Sequence, residues 1–296
     1  MRKKNKKITE ISFRDMKAYI KDQRYKHKKD ISDFSELPSK MYTEMAPVFV
    51  VSTGRAGSEL LVKLFKKSKA GTVFHEPEPR MFLGSKLAYE MGEDQIDARK
   101  VAFLNARFTL LRTAYLNDER YIETNNRTTF FMDAISEVFS NSKFIHIIRH
   151  PGGFVRSGIR RKYYTGNELD FGRIIPIKSN PVSQQWDSLS QLEKTAWLWN
   201  ETNALIERVK STLTKKRVFT IKSDELFKDP INFQKMGTFL GLSRLDLDTI
   251  SAIIKKPVNK QKQGTIAPWQ SWDKHEIDSL KKWTPLGRKY GFWSED

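Results

Sequence analysis

The stretch VFVVSTGRAGSELLVKLF, residues 48–65, decides the fold. Val48–Ser52 is compact, apolar and β-branched, which reads as a buried strand. Gly54 and Gly57 let the backbone turn tightly and bring its N–H groups toward a ligand. Leu60, Leu61, Leu64 and Phe65 then recur at helical spacing, so a helix begins at about Gly57 or Ser58. The first turn of such a helix offers unpaired N–H groups and a positive dipole end to an anion. A Walker A loop needs G-x-x-x-x-G-K-[ST], with Lys on the terminal phosphates. Here the glycines stand closer together, no Lys follows Gly57, and the cation Arg55 lies inside the turn. A plain strand–helix turn with no ligand would share the same pattern.

Four further strands follow from the same reasoning: 71–74, 120–123, 143–148 and 217–221. Between and after them lie helical stretches at 94–116, 129–140, 153–164, 189–211 and 232–240. Strands alternating with helices predict an α/β fold with a parallel sheet covered on both faces. Ligands of such sheets sit at the carboxyl ends of the strands. Residues 1–46 read as a basic lead-in, with helical potential at 11–25, and 47–296 as the functional domain. The tail from Pro257 reads as loops forming a lid or wrap.

The chain has 296 residues, no cysteine, and a net charge of +18. Disulfides and thiolate metal sites are excluded, and the five histidines show no metal-ligand spacing. No apolar run approaches the roughly 20 residues that cross a bilayer. The basic start lacks an apolar segment behind it, so the expectation is a cytoplasmic protein without a metal. The charge favours an anionic partner, whether nucleic acid, membrane surface or a small polyanion. Charge alone does not choose among them.

KFIHIIRHPGGFVRSGIRR, residues 143–161, narrows the choice. A buried strand ends in Arg149, Pro151-Gly152 breaks it, and Ser157 rides the next helix. Arg149 by its fork and Ser157 by its hydroxyl can converge on one anion. Arg156, Arg160 and Arg161 add positive potential but read as a basic helix face turned to solvent. Two anion sites at two strand ends suit a ligand with phosphates at both ends.

These residues resemble the sulfotransferase family, whose donor is 3′-phosphoadenosine 5′-phosphosulfate (PAPS). GRAGSE, residues 54–59, is similar to its [PG]-[KR]-S-G-[ST]-T signature, with Ala56 in place of Ser. Arg149 and Ser157 match R-[DH]-P followed by a Ser eight residues after the Arg. WLWNETNALIE resembles the family's W-x-x-x-N helix, and FTIKSDELFKDPINFQKMGTFLGL its Y-E-D-L-x-x-D-P…F-L-G-L stretch. KQGTIAPWQSW resembles the late R-K-G-x-x-G-D-W loop, with Lys262, Gly264 and Trp269 in step. The likeness runs from about Pro47 to Trp293. It implies a three-layer P-loop-like fold with a central parallel sheet flanked by helices. It also implies donor contacts from Gly54, Arg55, Ala56, Gly57, Ser58, Arg149, Ser157, Lys262 and Gly264, with no metal.

Two departures stand out. Glu59 replaces Thr or Ser and is expected to point away or to pair with a nearby cation. Leu60 replaces the Trp of the phenol- and steroid-modifying branch, whose adenine-stacking contact is therefore missing. The short GRAGS form resembles more the bacterial and Golgi-type branches, which modify sugars, lipids or peptides.

The resemblance implies sulfuryl transfer to a hydroxyl of a carbohydrate or lipid, catalysed by positioning and charge stabilisation. Arg55 would neutralise the leaving phosphate. TVFHEPEPR offers His75, Glu76 and Glu78 as bases, with Glu76 first and His75 second. A Glu76 pairing with Arg80, or capping a turn, is the structural alternative. Glu123, Thr124, Asn125 and Asn126 either line an acceptor pocket or cap the next helix, Asn126 and Thr128 being the capping candidates. At least one of Trp197 and Trp199 is expected in the core. The competing functions are a nucleotide or small-molecule kinase with a degenerate loop and a non-catalytic polyanion binder. No specific nucleic acid is expected, and the basic lead-in suits an anionic membrane or mere solubility.

Overall fold

The computed structural model describes residues 28–29, 35–243, 245–255 and 266–294. The helical stretch expected at 11–25 lies outside them, as do Lys262 and Gly264. In chain order the elements are α1 (Leu37–Glu44), β1 (Val48–Val51), α2 (Ser58–Lys67), β2 (Thr72–His75), α3 (Phe82–Glu90) and α4 (Ile96–Leu116). Then come β3 (Tyr121–Thr124), α5 (Met132–Val138), β4 (Lys143–Ile148), α6 (Pro151–Arg160), α7 (Gln191–Thr212) and β5 (Val218–Lys222). The chain ends in α8 (Ser223–Lys228), α9 (Pro230–Leu240), α10 (Leu247–Ile254), α11 (Lys274–Trp283) and α12 (Leu286–Lys289).

The five strands form one sheet in the order β2-β3-β1-β4-β5, every pair parallel. All five were readable in the sequence: β4 has the bounds expected, β1 ends one residue early, and β2, β3 and β5 each start and end one residue later. β1 sits at the centre because the chain leaves it first to one side and later returns on the other. Ligands of doubly wound sheets bind beside such a reversal.

Strand alternation divides the core. Phe49 and Val51 of β1, Tyr121 of β3, and Phe144 and Ile148 of β4 face one layer, with Phe103, Leu111, Trp199 and Ile206. Val48, Val50, Ile122, Ile145, Ile147 and Ile221 face the other, with Leu61, Leu64 and Phe65 of α2, Phe233 and Met236 of α9, and Ile250 of α10. Side chains on successive strand residues point to opposite faces, so one short strand seeds both layers. Each fully buried large apolar side chain contributes about 1.5–3 kcal/mol. Leu37, Met41 and Met45, within the expected 1–46 lead-in, also belong to the first layer.

The tail differs from the expected loops. Asp273 caps α11 and Glu276 returns the bond, a capping box that starts a helix in a polar stretch. Leu280 and Trp283 are buried, and the Trp283 indole donates to Glu193 of α7 at 3.1 Å. Trp197 and Trp199 are both buried. Among the described residues, no helix is long and apolar enough to cross a membrane.

Candidate active site

The turn after β1 is built from backbone. Gly54, Arg55 and Gly57 all take positive φ, at 86°, 57° and 90°. A Cβ on Gly57 would lie 2.2 Å from the Phe227 ring, so side-chain space as well as conformation requires glycine there. The Ser52 hydroxyl accepts from Gly54 N–H at 3.1 Å. Ser52 N–H in turn donates to the Thr129 hydroxyl at 3.2 Å, and that hydroxyl donates back to Ser52 C=O. α2 begins at Ser58 with Gly57 as N-cap and no side-chain cap. Its first N–H groups therefore face the end of the sheet without a side-chain acceptor.

Arg55 carries the site's clearest signal. Its Nε is buried and has no hydrogen-bond partner among the described residues. Burial lowers its pKa, and the charge of Arg161 lowers it further, while Tyr163, Glu59 and Glu76 oppose them. A buried guanidinium N–H without an acceptor is costly unless an anion completes it.

Arg149 at the end of β4 donates from Nη1 to the Arg55 carbonyl at 2.7 Å, which pins the loop from beneath. Burial, aided by Arg55, pushes its pKa down to about 10. The Trp199 indole holds the Arg149 carbonyl at 2.9 Å. Ser157 is buried on α6. His150 caps that helix, its Nδ1 accepting from Gly152 N–H at 3.1 Å. Trp269 stacks on the imidazole at 4.1 Å, and Arg156 holds the Ile266 carbonyl at 3.0 Å.

A cleft of about 750 Å³ opens over the carboxyl end of the sheet. It is lined by Gly54, Arg55, Ser58 and Glu59 on one side, and by His75, Glu76, Arg80, Asn125, Asn126 and Arg127 on another. Arg160, Arg161, Lys162, Tyr163 and Arg173 close the third side. Arg149 and Ser157 lie behind the loop and do not line it. Seven lining residues are Lys or Arg and three are Glu, so an anion is drawn in.

Glu76 leaves β2 at φ 43°, and its Oε2 accepts from Arg127 Nη1 at 3.2 Å. The structural alternative read from the sequence had Arg80 as the partner of Glu76, but Arg80 pairs with Glu78 at 2.9 Å. The Arg127 Cζ lies over the Phe82 ring, 3.6 Å from its centroid. His75 faces the Thr124 hydroxyl through Nδ1 at 2.9 Å.

Behind this wall, Arg107 and Glu123 form an ion pair at 2.9 Å with neither side chain exposed. Arg107 also donates to the Pro79 carbonyl at 2.9 Å and to the Pro77 carbonyl at 3.4 Å. Glu123 further accepts from the Tyr121 hydroxyl and from Asn125 Nδ2. Asn125 Oδ1 accepts from Arg127 N–H at 3.0 Å.

Several expectations change here. Glu123 and Thr124 are fully buried and do not line the cleft, while Asn125 and Asn126 do. The turn before α5 is held by the Asn125 side chain and not by Asn126, and the Thr128 hydroxyl bonds back to the Asn125 carbonyl. Glu59 lines the cleft rather than pointing away, and its charge supports that of Arg55. Arg160 and Arg161 line the cleft as well, where a solvent-facing helix was expected. α6 ends at Arg160, and the two sit at the rim of the cleft, Arg160 half-buried and Arg161 still exposed. Arg127 was not foreseen, whereas Tyr163 and Arg173 belong to the loop 163–186, whose composition suits an acceptor pocket, without being singled out in it. Only its place beside a turn marked Arg127, and arginines beside turns are common.

The Sulfotransferase family model matches residues 47–246. No curated protein matches the chain. Among solved structures, sulfotransferase STF9 from Mycobacterium avium is 10% identical over 95% of this chain and 81% of that one, with a TM-score of 0.52. The sulfotransferase domain of the Synechococcus PCC 7002 olefin synthase is 15% identical, covering 86% and 98%, at a TM-score of 0.48. Mouse sulfotransferase SULT7A1, complexed with PAP, is 15% identical, covering 87% and 92%, at 0.48. Likeness at such identities is one of fold. The family match spans more than half of the 296 residues, and the chain belongs to the sulfotransferase family of enzymes.

Proposed function

We propose that the protein transfers the sulfuryl group of PAPS to a hydroxyl of a carbohydrate or lipid. The observation that carries the donor half is the unpartnered, buried Nε of Arg55, set under a glycine turn and beside an uncapped helix start. Bound there, PAPS would supply the sulfuryl group and leave as adenosine 3′,5′-bisphosphate. The residues suit its two anionic ends. Gly54, Arg55, Ala56, Gly57 and Ser58 would take the 5′ end. Arg149 and Ser157, with Lys262 and Gly264 by resemblance, would take the 3′-phosphate.

The chain's own chemistry then divides between two groups. Arg55 holds positive charge where negative charge grows on the leaving oxygen. Glu76 takes the proton of the acceptor hydroxyl. Its Oε2 is occupied by Arg127, which leaves Oε1 for that hydroxyl and fixes the carboxylate's direction. His75, held through Nδ1, is the second choice for the same role. Residues 47–296 form the catalytic unit. We place the reaction in the cytoplasm, a setting with which a cysteine-free chain agrees. The basic lead-in would meet an anionic membrane surface.

The test is thermal unfolding with adenosine 3′,5′-bisphosphate, AMP and ATP–magnesium at moderate salt. A ligand at a hundred times its Kd stabilises by about 2.7 kcal/mol. Stabilisation by the bisphosphate alone, lost in Arg149→Ala, supports the donor. A response to ATP–magnesium instead would overturn it in favour of a kinase.

A further inference from the structure

Among the described residues, eight large apolar side chains are exposed. Five of them fall on two segments at the mouth of the cleft: Leu83 and Leu87 on α3, and Leu169, Phe171 and Ile175 on the stretch after α6. Phe171 is 55% exposed and Leu83 52%. Scattered single exposures need no explanation, but a cluster beside a binding cleft does.

The two segments pack on each other. The Phe82 and Phe171 rings lie 6.0 Å apart, and Gly172 sits so close to Phe82 that a Cβ there would be 2.9 Å from it. The apolar residues are also held in place. The Asp170 carboxylate accepts from the N–H groups of Tyr164, Thr165, Gly166 and Asn167 at 3.0–3.1 Å, and from Arg173 at 2.7 Å. A built turn thus presents Leu169 and Phe171 to water.

The patch continues inward. Phe82, Leu169 and Ile174 line the cleft, and the Arg127 guanidinium lies over Phe82 beside Glu76. Along one path from the surface the lining changes from apolar, through a ring covered by a cation, to the carboxylate and the cation-rich interior. A wholly polar sugar would leave the outer half uncovered. The sequence of surfaces fits one molecule with a polar head and an apolar tail.

We propose that the acceptor is an amphiphile. Its hydroxyl-bearing head enters beside Glu76, and its alkyl chain lies over Phe82 and across Leu83, Leu87, Leu169 and Phe171. This rests on the sulfuryl-transfer reading and names its acceptor class.

The experiment titrates two series into the protein saturated with adenosine 3′,5′-bisphosphate: alkyl β-glucosides and alkyl phosphates, each as methyl, hexyl and octyl forms below the micellar concentration. Burial of a methylene is worth about 0.8 kcal/mol, so octyl should bind roughly tenfold more tightly than hexyl in at least one series. In the double variant Leu87→Ser, Phe171→Ser that ratio should fall to about one, with stabilisation by the bisphosphate unchanged. Neither residue lines the cleft.

Affinity independent of chain length in both series would overturn the proposal, as would an equal ratio in the variant. So would binding to anionic vesicles without binding of the monomers, which makes the patch a membrane contact. A dimer dispersed by the double substitution would likewise assign the patch to a second copy. Loss of the bisphosphate response in the unaltered protein would instead defeat the donor reading itself, so the two failures are distinct.

Discussion

The two walls of the cleft are built by different means. The donor wall, Ser52–Ser58, is shaped by backbone: three positive φ values, a glycine with no room for a Cβ, and carbonyls held by Arg149 and Thr129. The acceptor wall, His75–Arg80, hangs on side chains. Arg107, fully buried in the middle of α4, grips the carbonyls of Pro77 and Pro79 and is neutralised by Glu123. Glu123 passes through Asn125 to Arg127, and Arg127 to Glu76. Both walls draw on distant segments, Arg149 and Thr129 lying 94 and 77 residues from the carbonyls they hold and Arg127 lying 51 from Glu76. But the first keeps its shape in its own backbone and the second in charged side chains. Local backbone geometry tolerates change elsewhere in the chain, but a buried ionic network fails as a unit.

The largest effect should follow from Arg107→Ala. Removing one partner of a buried pair leaves an uncompensated charge and costs about 3–5 kcal/mol. Urea unfolding measures it. If the walls are independent, adenosine 3′,5′-bisphosphate binds the folded variant with nearly unchanged Kd while turnover falls. A bisphosphate Kd that weakens in step with turnover would break the comparison.

Arg55→Ala is the complementary change. Turnover should fall by about 10²–10³, as on loss of one charge-stabilising donor. Stability should hold or rise, because the substitution removes a half-buried cation whose Nε has no acceptor. A stability loss like that of Arg107→Ala would mean Arg55 braces the wall and does not wait for a ligand. Single-turnover rates beside thermal unfolding separate the two.

Glu76→Gln is next. The amide oxygen can still accept from Arg127, so the wall stays in place and the base is lost. Turnover should drop by at least about a hundredfold with donor binding intact. Near-normal turnover removes Glu76 from the role and passes it to His75.

The same contrast explains what the sequence disclosed. Val48–Val51, the glycine turn and Lys143–Ile148 were readable because strand patterning and φ requirements are local properties. The positions of Arg55 in the turn, Arg149 after β4 and Ser157 on α6 came with them. Arg107 carries no such mark. It is an arginine in a 21-residue helix, and only the fold shows that it is buried opposite Glu123. Glu123 looked like a pocket residue for the same reason, since its burial depends on a partner 16 residues away. The place of Arg160 and Arg161 at the rim of the cleft depends on where α6 stops. α11, by contrast, was legible and missed. Asp273 followed three residues later by Glu276 is a capping-box pattern, hidden in a tail rich in Trp, Pro and Gly.

The smallest effect tests whether α6, whose neighbour Arg149 holds the donor wall, rests on a titrating cap. His150 caps α6 with an unprotonated Nδ1, and burial against Trp269 pushes its pKa down to about 4, with Arg149 assisting and Asp224 opposing. An unfolded histidine titrates near 6.5. The folded value is depressed, so this contribution is complete above pH 6.5 and is lost as pH falls toward 4. His146, fully buried and also lowered to about 4, acts in the same window. Together they give stability a slope of about two protons between those pH values. His150→Asn keeps an N-cap acceptor without a titration, and the slope should fall to about one proton. Urea midpoints at half-unit pH steps read it directly. An unchanged slope would mean that His150 titrates alike in both states, leaving α6 with a start that depends on no proton at all.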